Sequence, residues 1–494
     1  MSAITYVDLD ALRPFLMLAG GGVLLVLADT ILGRRRQISW CVPTLVLLAA
    51  AIITIVREPE PGAVLSRLVN FDPFSRFVGL LICVSTALSV LLSESYLRRT
   101  GRYRGEYHAL LLFSGSGMIL FSTATEMLTL FLGLELMSIP VYILSGFHRT
   151  DVRSGEAALK YFLLGAFSSA ILLLGIAFLY GATGTTDLPS ALRGGPAAPA
   201  MLPLARIGCV LLLAGFLFKI ASVPFHMWTP DVYEGAPTTV TAFMATAVKA
   251  AAFAALLRVL SMRDSGVLAS LPLGKLFWWL AVLTMTVGNL AALTQSNVKR
   301  MLAYSSIAHA GYLLVGVSVY AASGDPETLS AILYYLLAYT FMTIGAFAIV
   351  VAFGERGNEH LEMGDYGGLG WRYPAAGIAM SLFMISLSGI PPTAGFFGKY
   401  AIFRNAVGHG ATGLVVIAVL NSALSVYYYL KMMVTLYMRP GTVRVQASRG
   451  ALASAVVVIC ALAVLWAGFG PDGGRIPGVP ALLHWASASV LVAR

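Results

Sequence analysis

Along almost its whole length the chain repeats one pattern: an apolar run of roughly twenty residues, a short break of Pro, Gly or charge, then another run. Each run is long enough to cross a hydrocarbon layer about 30 Å thick as a helix. Only 11% of the residues are charged and 58% are hydrophobic, against roughly 25% charged in a soluble domain, which excludes a soluble globule. Fourteen spans are expected, at 12–32, 38–56, 73–97, 107–124, 126–147, 157–181, 204–226, 236–261, 273–294, 301–321, 328–353, 374–404, 411–438 and 450–469. They are expected to be helical, because backbone polar groups in lipid must be satisfied within the segment and no period-two barrel pattern occurs.

In this setting the net charge of +10 is read as an orientation signal rather than as a nucleic-acid patch. Loops after odd-numbered spans hold 16 Lys and Arg, and loops after even-numbered spans hold 7. With an even span number, the positive-inside rule puts both termini on the outer side. The opening MSAITYVDLDALRP lacks a basic leader, so the first span is expected to be retained. Cys41, Cys83, Cys209 and Cys460 lie inside apolar runs without metal-site or disulfide spacing, and are read as small buried hydrophobes. No GxGxxG after a strand, no GxxxxGK[ST] and no HExxH occurs, and no loop is long enough to hold a soluble cofactor. No cofactor or metal site is therefore expected on this chain, and the energy source must be an ion gradient or a partner.

The informative residues are the charges inside spans. Glu135 falls in the fifth span (FLGLELMSIPVYIL), Lys219 in the seventh, Lys249 in the eighth, His309 in the tenth and Lys399 in the twelfth. A lipid-facing charge at a helix centre costs about 3 kcal/mol, so four of them unpaired would cost on the order of 12. They must face protein, water or each other. Burial lowers a lysine pKa and a nearby carboxylate raises it again, so moving the carboxylate can load or unload a proton. A string of Lys, His and Glu on successive helices is thus a candidate proton relay. The alternatives are a structural ion pair for Glu135 and Lys219, burial near a helix break or snorkelling for Lys249 and Lys399, and a simple backbone hydrogen bond for His309. Lys160, near the start of the sixth span, fits snorkelling as well as function, and Lys431, late in its run, is read as structural.

Two of these spans carry prolines beside their lysines: KIASVP, with Pro224 five residues after Lys219, and SGIPPTAGFFGK, with Pro391 and Pro392 before Lys399. Proline breaks the helix, and freed carbonyls at membrane depth are tolerated only beside protein or water. Paired breaks point to an inverted repeat. The expected organisation is a three-helix segment (1–104), a first repeat of spans four to eight (105–262), a second of spans nine to thirteen (263–440), and a C-terminal helix and tail (441–494). Lys219 and Lys399 would be partners in the two repeats.

The phrases FLGLELMSIPVYIL, KIASVPFHMWTPDVYEGAPTTVTAFMATAVK, QSNVKRMLAYSSIAHAGYLL and SLSGIPPTAGFFGKY resemble the antiporter-like membrane subunits of respiratory complex I, related to the Mrp-type cation/proton antiporters. The resemblance covers approximately 105–440. Within that family it is similar to the N-type branch of NADH-quinone oxidoreductase, because Lys399 stands where the M-type carries glutamate and the L-type lateral helix is missing. The resemblance implies an all-α fold with about 14 spans and H⁺ translocation coupled to NADH:quinone electron transfer in other subunits. It implies further that NADH, FMN, iron–sulfur clusters and quinone sit in those partner subunits, in a bacterial plasma membrane. Carried over by motif, Glu135 and Lys219 are the central ion pair, Lys249 the connecting lysine, His309 part of the polar axis, Lys399 the proton-exchanging lysine of the second half and Lys160 a modulator of the pair. An Mrp-type Na⁺/H⁺ antiporter subunit and the membrane subunit of a related hydrogenase share these lysines and remain open alternatives.

Overall fold

The computed structural model describes residues 6–32, 39–57, 68–194, 196, 198–355, 359–441 and 450–468. Arg34, Arg35, Arg36, Arg67, Arg356, Arg444 and Arg449 of the loop comparison, and the tail 469–494, lie outside the described residues. The described chain is all-helical, with only isolated bridges between loops and no named strand among the described residues.

Short polar punctuation sets the helix ends. Gly324 ends Val298–Ser323 with φ of 69°, and Asp325 at once caps Pro326–Phe353 by accepting from the Thr328 backbone N–H at 2.9 Å. Asp72 does the same for Pro73–Thr100, and Asn297 for Val298–Ser323. Each such cap contributes about 1 kcal/mol and fixes where a span leaves the apolar layer. Eleven helices among the described residues are long and apolar enough to cross a membrane, with the shorter apolar helices Cys41–Val56 and Pro374–Ser388 beside them.

Burial sorts these helices into an inner and an outer set. Thr238–Leu260, Val298–Ser323, Pro326–Phe353 and Pro73–Thr100 are buried over most of their length, whereas Val152–Thr183, Thr412–Met438 and Ala451–Gly468 expose most of theirs. The outer faces carry Leu163, Phe167, Leu420 and Leu462 outward, as lipid requires. Helices Gly105–Thr123 and Met127–Ser145 touch backbone to backbone: a Cβ on Gly117 would fall 2.2 Å from the Met137 nitrogen. That close approach brings the helix carrying Glu135 into the interior. A bidentate pair between Arg258 and Asp72, at 3.1 and 3.0 Å, ties the inner Thr238–Leu260 helix to the start of Pro73–Thr100.

The two proline breaks stand where the sequence places them. Leu202–Lys219 stops, Ala221 takes a φ of 59°, Val223–Pro224 is cis, and a new helix runs Trp228–Gly235. Pro374–Ser388 stops at Gly389, Pro391–Pro392 is cis, and Ala394–Gly408 follows. The groups freed by the breaks find partners in neighbouring helices: Thr284 Oγ1 accepts from Val223 N–H at 3.1 Å, and Ser386 Oγ accepts from Gly395 N–H at 3.2 Å. This is the condition on which irregular backbone survives at membrane depth.

Candidate functional site

Three lysines are almost wholly withdrawn from the surface: Lys219 is 3% exposed, Lys249 2% and Lys399 4%. An ammonium offers three hydrogen-bond donors, and the three sites satisfy them to different degrees.

Lys219 is the last residue of Leu202–Lys219, at the negative end of that half-helix. Its Nζ donates to Tyr142 Oη at 3.2 Å and lies over the rings of Tyr142 (5.2 Å), Tyr161 (5.5 Å) and Phe218 (5.7 Å). Glu135 is within electrostatic reach, yet its Oε1 is buried with no hydrogen-bond partner among the described residues. The structure therefore brings the two together with Lys219 turned onto an aromatic cage and the carboxylate open.

Lys249 directly follows a π-helical segment, Met244–Val248, inside the buried Thr238–Leu260 helix. Such segments widen the backbone ladder and are frequent at functional positions. Its Nζ donates to the Ser306 carbonyl at 2.6 Å and also contacts the Ser306 hydroxyl. One turn along the same Val298–Ser323 helix stands His309, with Nδ1 2.5 Å from Tyr335 Oη and Nε2 3.0 Å from Tyr429 Oη. The charges of Lys249 and Lys399 both act on this ring.

Lys399 has a full set of acceptors. Its Nζ donates to the carbonyls of Leu387 and Ser388 at 3.2 and 3.0 Å and to Ser422 Oγ at 2.9 Å, and it lies 4.6 Å from the centre of the Tyr312 ring. The two carbonyls belong to the last turn of Pro374–Ser388, so this cation also sits at the negative end of a half-helix. Beyond Tyr312, Asn289 donates to its hydroxyl at 3.0 Å and accepts from Tyr428 at 3.0 Å. Chemically, the amines stand among hydroxyl, imidazole and amide groups that both donate and accept, the kinds of group that proton transfer requires.

Lys160 and Lys431 stand apart from this axis. Lys160, 41% exposed, pairs with Glu156 and Asp231, each at 2.7 Å; Asp231 also pairs with Arg300, which reaches Glu234, both at 2.8 Å. Lys160 thus turns to a network at the end of its span rather than to Lys219. Lys431 donates to the Gln295 carbonyl at 3.2 Å and is partly exposed.

Sequence reasoning passed over the tyrosines and serines that surround the lysines. It also passed over Glu359, outside the spans, where Lys299 (3.1 Å), Thr238 (2.7 Å) and Tyr96 (2.5 Å) meet its carboxylate. Burial pushes the Glu359 carboxyl up, but Lys299 and the two hydroxyls outweigh it and hold it down at about 2. His148, 3.2 Å from the same Tyr96 hydroxyl, is lowered to about 4 by burial and by Arg102. Among the described residues no group of three or more His, Cys, Asp or Glu is placed to hold a metal ion.

The family described as NADH:quinone oxidoreductase/Mrp antiporter, transmembrane, matches residues 124–425. The NADH-quinone oxidoreductase subunit N of Trichlorobacter lovleyi is 46% identical over 441 residues, covering 88% of each chain. A chain of respiratory complex I from Thermus thermophilus superimposes with a TM-score of 0.77 at 37% identity, covering 94% of this chain and 99% of that one. A chain of the Mrp complex of a Dietzia species shares the fold, with a TM-score of 0.78 at 21% identity over 99% and 97% of the two chains.

Proposed function

Since the chain belongs to the NADH:quinone oxidoreductase/Mrp antiporter transmembrane family, we propose a mechanism for it on that premise. It is a proton-translocating, multi-pass membrane subunit of the N type in a bacterial NADH-quinone oxidoreductase. Its relatives at above 40% identity bear that name, while the likeness to the Mrp complex is one of fold. The driving reaction, NADH oxidation by quinone through FMN and iron–sulfur clusters, belongs to partner subunits of the complex, peripheral and membrane-bound.

The proton path runs through Glu135, Lys219, Lys249, His309 and Lys399, with Lys160 acting from the ion network at Asp231. The observation that carries this reading is the near-complete burial of Lys219, Lys249 and Lys399, with His309 electrostatically between the last two. A proton on Lys249 can leave only to a neighbour with a free lone pair. Ser306, His309 and the tyrosine hydroxyls supply those, toward Lys399. Lys219 lacks a full acceptor set, so its charge depends on Glu135; a shift of the carboxylate toward or away from it loads or unloads the amine.

The finer architecture is part of this proposal. The fourteen helical passes comprise a three-helix segment (1–104), two inverted five-helix repeats (105–262 and 263–440) and a C-terminal helix and tail (441–494), with both termini outside. The paired breaks support it, each placing a cation at the C-terminal end of a half-helix.

Purification from native membranes tests the reading. Co-elution of flavin and iron–sulfur proteins is expected, and Na⁺/H⁺ antiport by the isolated chain in liposomes would contradict it.

A further inference from the structure

The loops that follow the odd spans enclose a cavity of about 1030 Å³, lined by His148, Asp151, Glu234, Asn297, His360 and Glu362 among others, with Glu359 in its wall. The Glu359 side chain is 24% exposed and lines the cavity. Its inner contacts, Tyr96 and Thr238, are both about 1% exposed.

From these two residues a line of buried hydroxyls continues inward. Thr239, next to Thr238, lies 2.8 Å from Tyr107 Oη, which lies 2.9 Å from Ser93 Oγ. Ser93, Ser89 and Ser85 follow at four-residue intervals on one face of Pro73–Thr100, with Ser93 Oγ donating to the Ser89 carbonyl at 2.7 Å and Ser89 Oγ to the Ser85 carbonyl at 2.9 Å. Ser85 Oγ is 2.8 Å from Thr246 Oγ1, in the π segment one turn before Lys249. Tyr96 to Ser85 is eleven residues, about 16 Å of helix, or half of a hydrocarbon layer about 30 Å thick. Every one of these hydroxyl residues is 1% exposed or less.

We propose that this line is the proton-uptake route of the chain, carrying protons from the cavity, through Glu359 and the hydroxyls of Thr238, Thr239, Tyr107, Ser93, Ser89, Ser85 and Thr246, to Lys249. It rests on the relay reading above, for which it supplies the mouth. By the charge of the loops this cavity faces the cytoplasm, the side from which an outward pump draws its protons.

Hydronium in the cavity hands its proton across the ionised Glu359 carboxylate to the Thr238 hydroxyl, the carboxylate, held at about 2, being protonated only in passing. Each hydroxyl then accepts a proton on a lone pair as it releases its own to the next group, and the neutral Lys249 amine accepts the last to become an ammonium. No electron pair changes owner, and one proton leaves the cavity for each one that reaches Lys249. Successive serines on the face are about 5–6 Å apart, the reach of one bridging water, and their hydroxyls supply its partners. The groups facing the carboxylate at the mouth are the cations Lys299 on Val298–Ser323 and Arg99 on Pro73–Thr100, and His148 between the fifth and sixth spans, which burial and Arg102 keep neutral at neutral pH. The carboxylate between them draws hydronium toward the wire.

The test uses inverted membrane vesicles holding the assembled complex, with proton uptake driven by NADH. Tyr107→Phe removes one oxygen and keeps the ring, and Glu359→Gln removes the carrier and keeps the shape. Each is expected to lower uptake on the order of tenfold or more, since a positioned proton-transfer group contributes about 10² to 10⁴ and water replaces it in part. Formate, a small weak acid that enters the cavity, is expected to restore uptake in Glu359→Gln but not in Tyr107→Phe. A merely structural Glu359 would not respond to formate. Should Glu359→Gln fail to assemble, Tyr107→Phe decides alone. Normal uptake in both variants, with Lys249→Ala inactive, overturns the route and leaves the relay standing. Normal uptake in Lys249→Ala overturns both.

Discussion

The Lys219 and Lys399 regions are built on the same device and finished differently. In each, a proline-broken helix brings an ammonium to the C-terminal carbonyl end of a half-helix inside the protein. Lys399 lies in the helix after its break and finds three oxygens, two of them carbonyls that the break itself exposes. Lys219 lies in the helix before its break, where Phe218 gives its carbonyl to Trp228 Nε1 at 3.2 Å, and among the described residues only the Tyr142 hydroxyl accepts from it. The difference teaches that the acceptors around a buried lysine decide how its amine is held: Lys399 is oriented by fixed oxygens, and Lys219 depends on the position of Glu135.

Substituting both lysines gives the largest expected effect and the sharpest break of the comparison. Lys399→Ala strands the Leu387 carbonyl, at a cost of about 1–3 kcal/mol when buried without a donor, and leaves Ser388 and Ser422 only their 3.4 Å bond to each other. It should lower NADH-driven proton pumping on the order of tenfold or more and also lower the thermal stability of the assembled complex. Lys219→Ala and Glu135→Ala should lower pumping while assembly and melting temperature persist. Equal losses of melting temperature in the Lys219 and Lys399 variants would erase the distinction.

Gly389→Ala probes the Lys399 side alone. Gly389 has a φ of 83°, and a Cβ there would meet Lys399 Cδ at 3.0 Å and Nζ at 3.2 Å. Backbone strain of about 1–2 kcal/mol together with a displaced ammonium should slow pumping several-fold. A Lys399 that tolerates this methyl at full rate is not held by its carbonyls.

Smaller effects are expected away from the axis. Lys431→Ala loses one hydrogen bond to the Gln295 carbonyl and should change pumping less than twofold; a loss matching Lys399→Ala would move Lys431 into the path. Glu359 gives a pH signature. Its carboxyl is held down from 4.5 to about 2, so its ionised form stabilises the fold fully above about pH 4.5 and loses that contribution as pH falls toward 2. Melting temperatures of wild type and Glu359→Gln should therefore differ by a constant amount at neutral pH and converge in acid.

Much of this was legible in the sequence because lipid makes the code severe. Apolar length marks the spans, and an ionisable residue such as Lys249 inside one cannot be accidental. Pro224 and Pro391 announced the breaks for the same reason. What surrounds the lysines was not legible. Tyr142, Tyr335, Ser306 and Ser422 sit in apolar runs, where hydroxyls commonly bond their own helix, as Thr86 does to the Ile82 carbonyl at 2.7 Å. Only the fold tells a serine that faces a neighbour from one that does not. The Lys160 partner Asp231 is 71 residues away, and Lys299 and Glu359 are 60 apart, so neither pair leaves a local pattern.

The most direct test of the account is the number of protons translocated per NADH oxidised by the assembled complex carrying Lys249→Ala, the residue through which both halves of the path pass. The account predicts that the ratio falls while the complex still assembles. An unchanged ratio at an unchanged rate would contradict it.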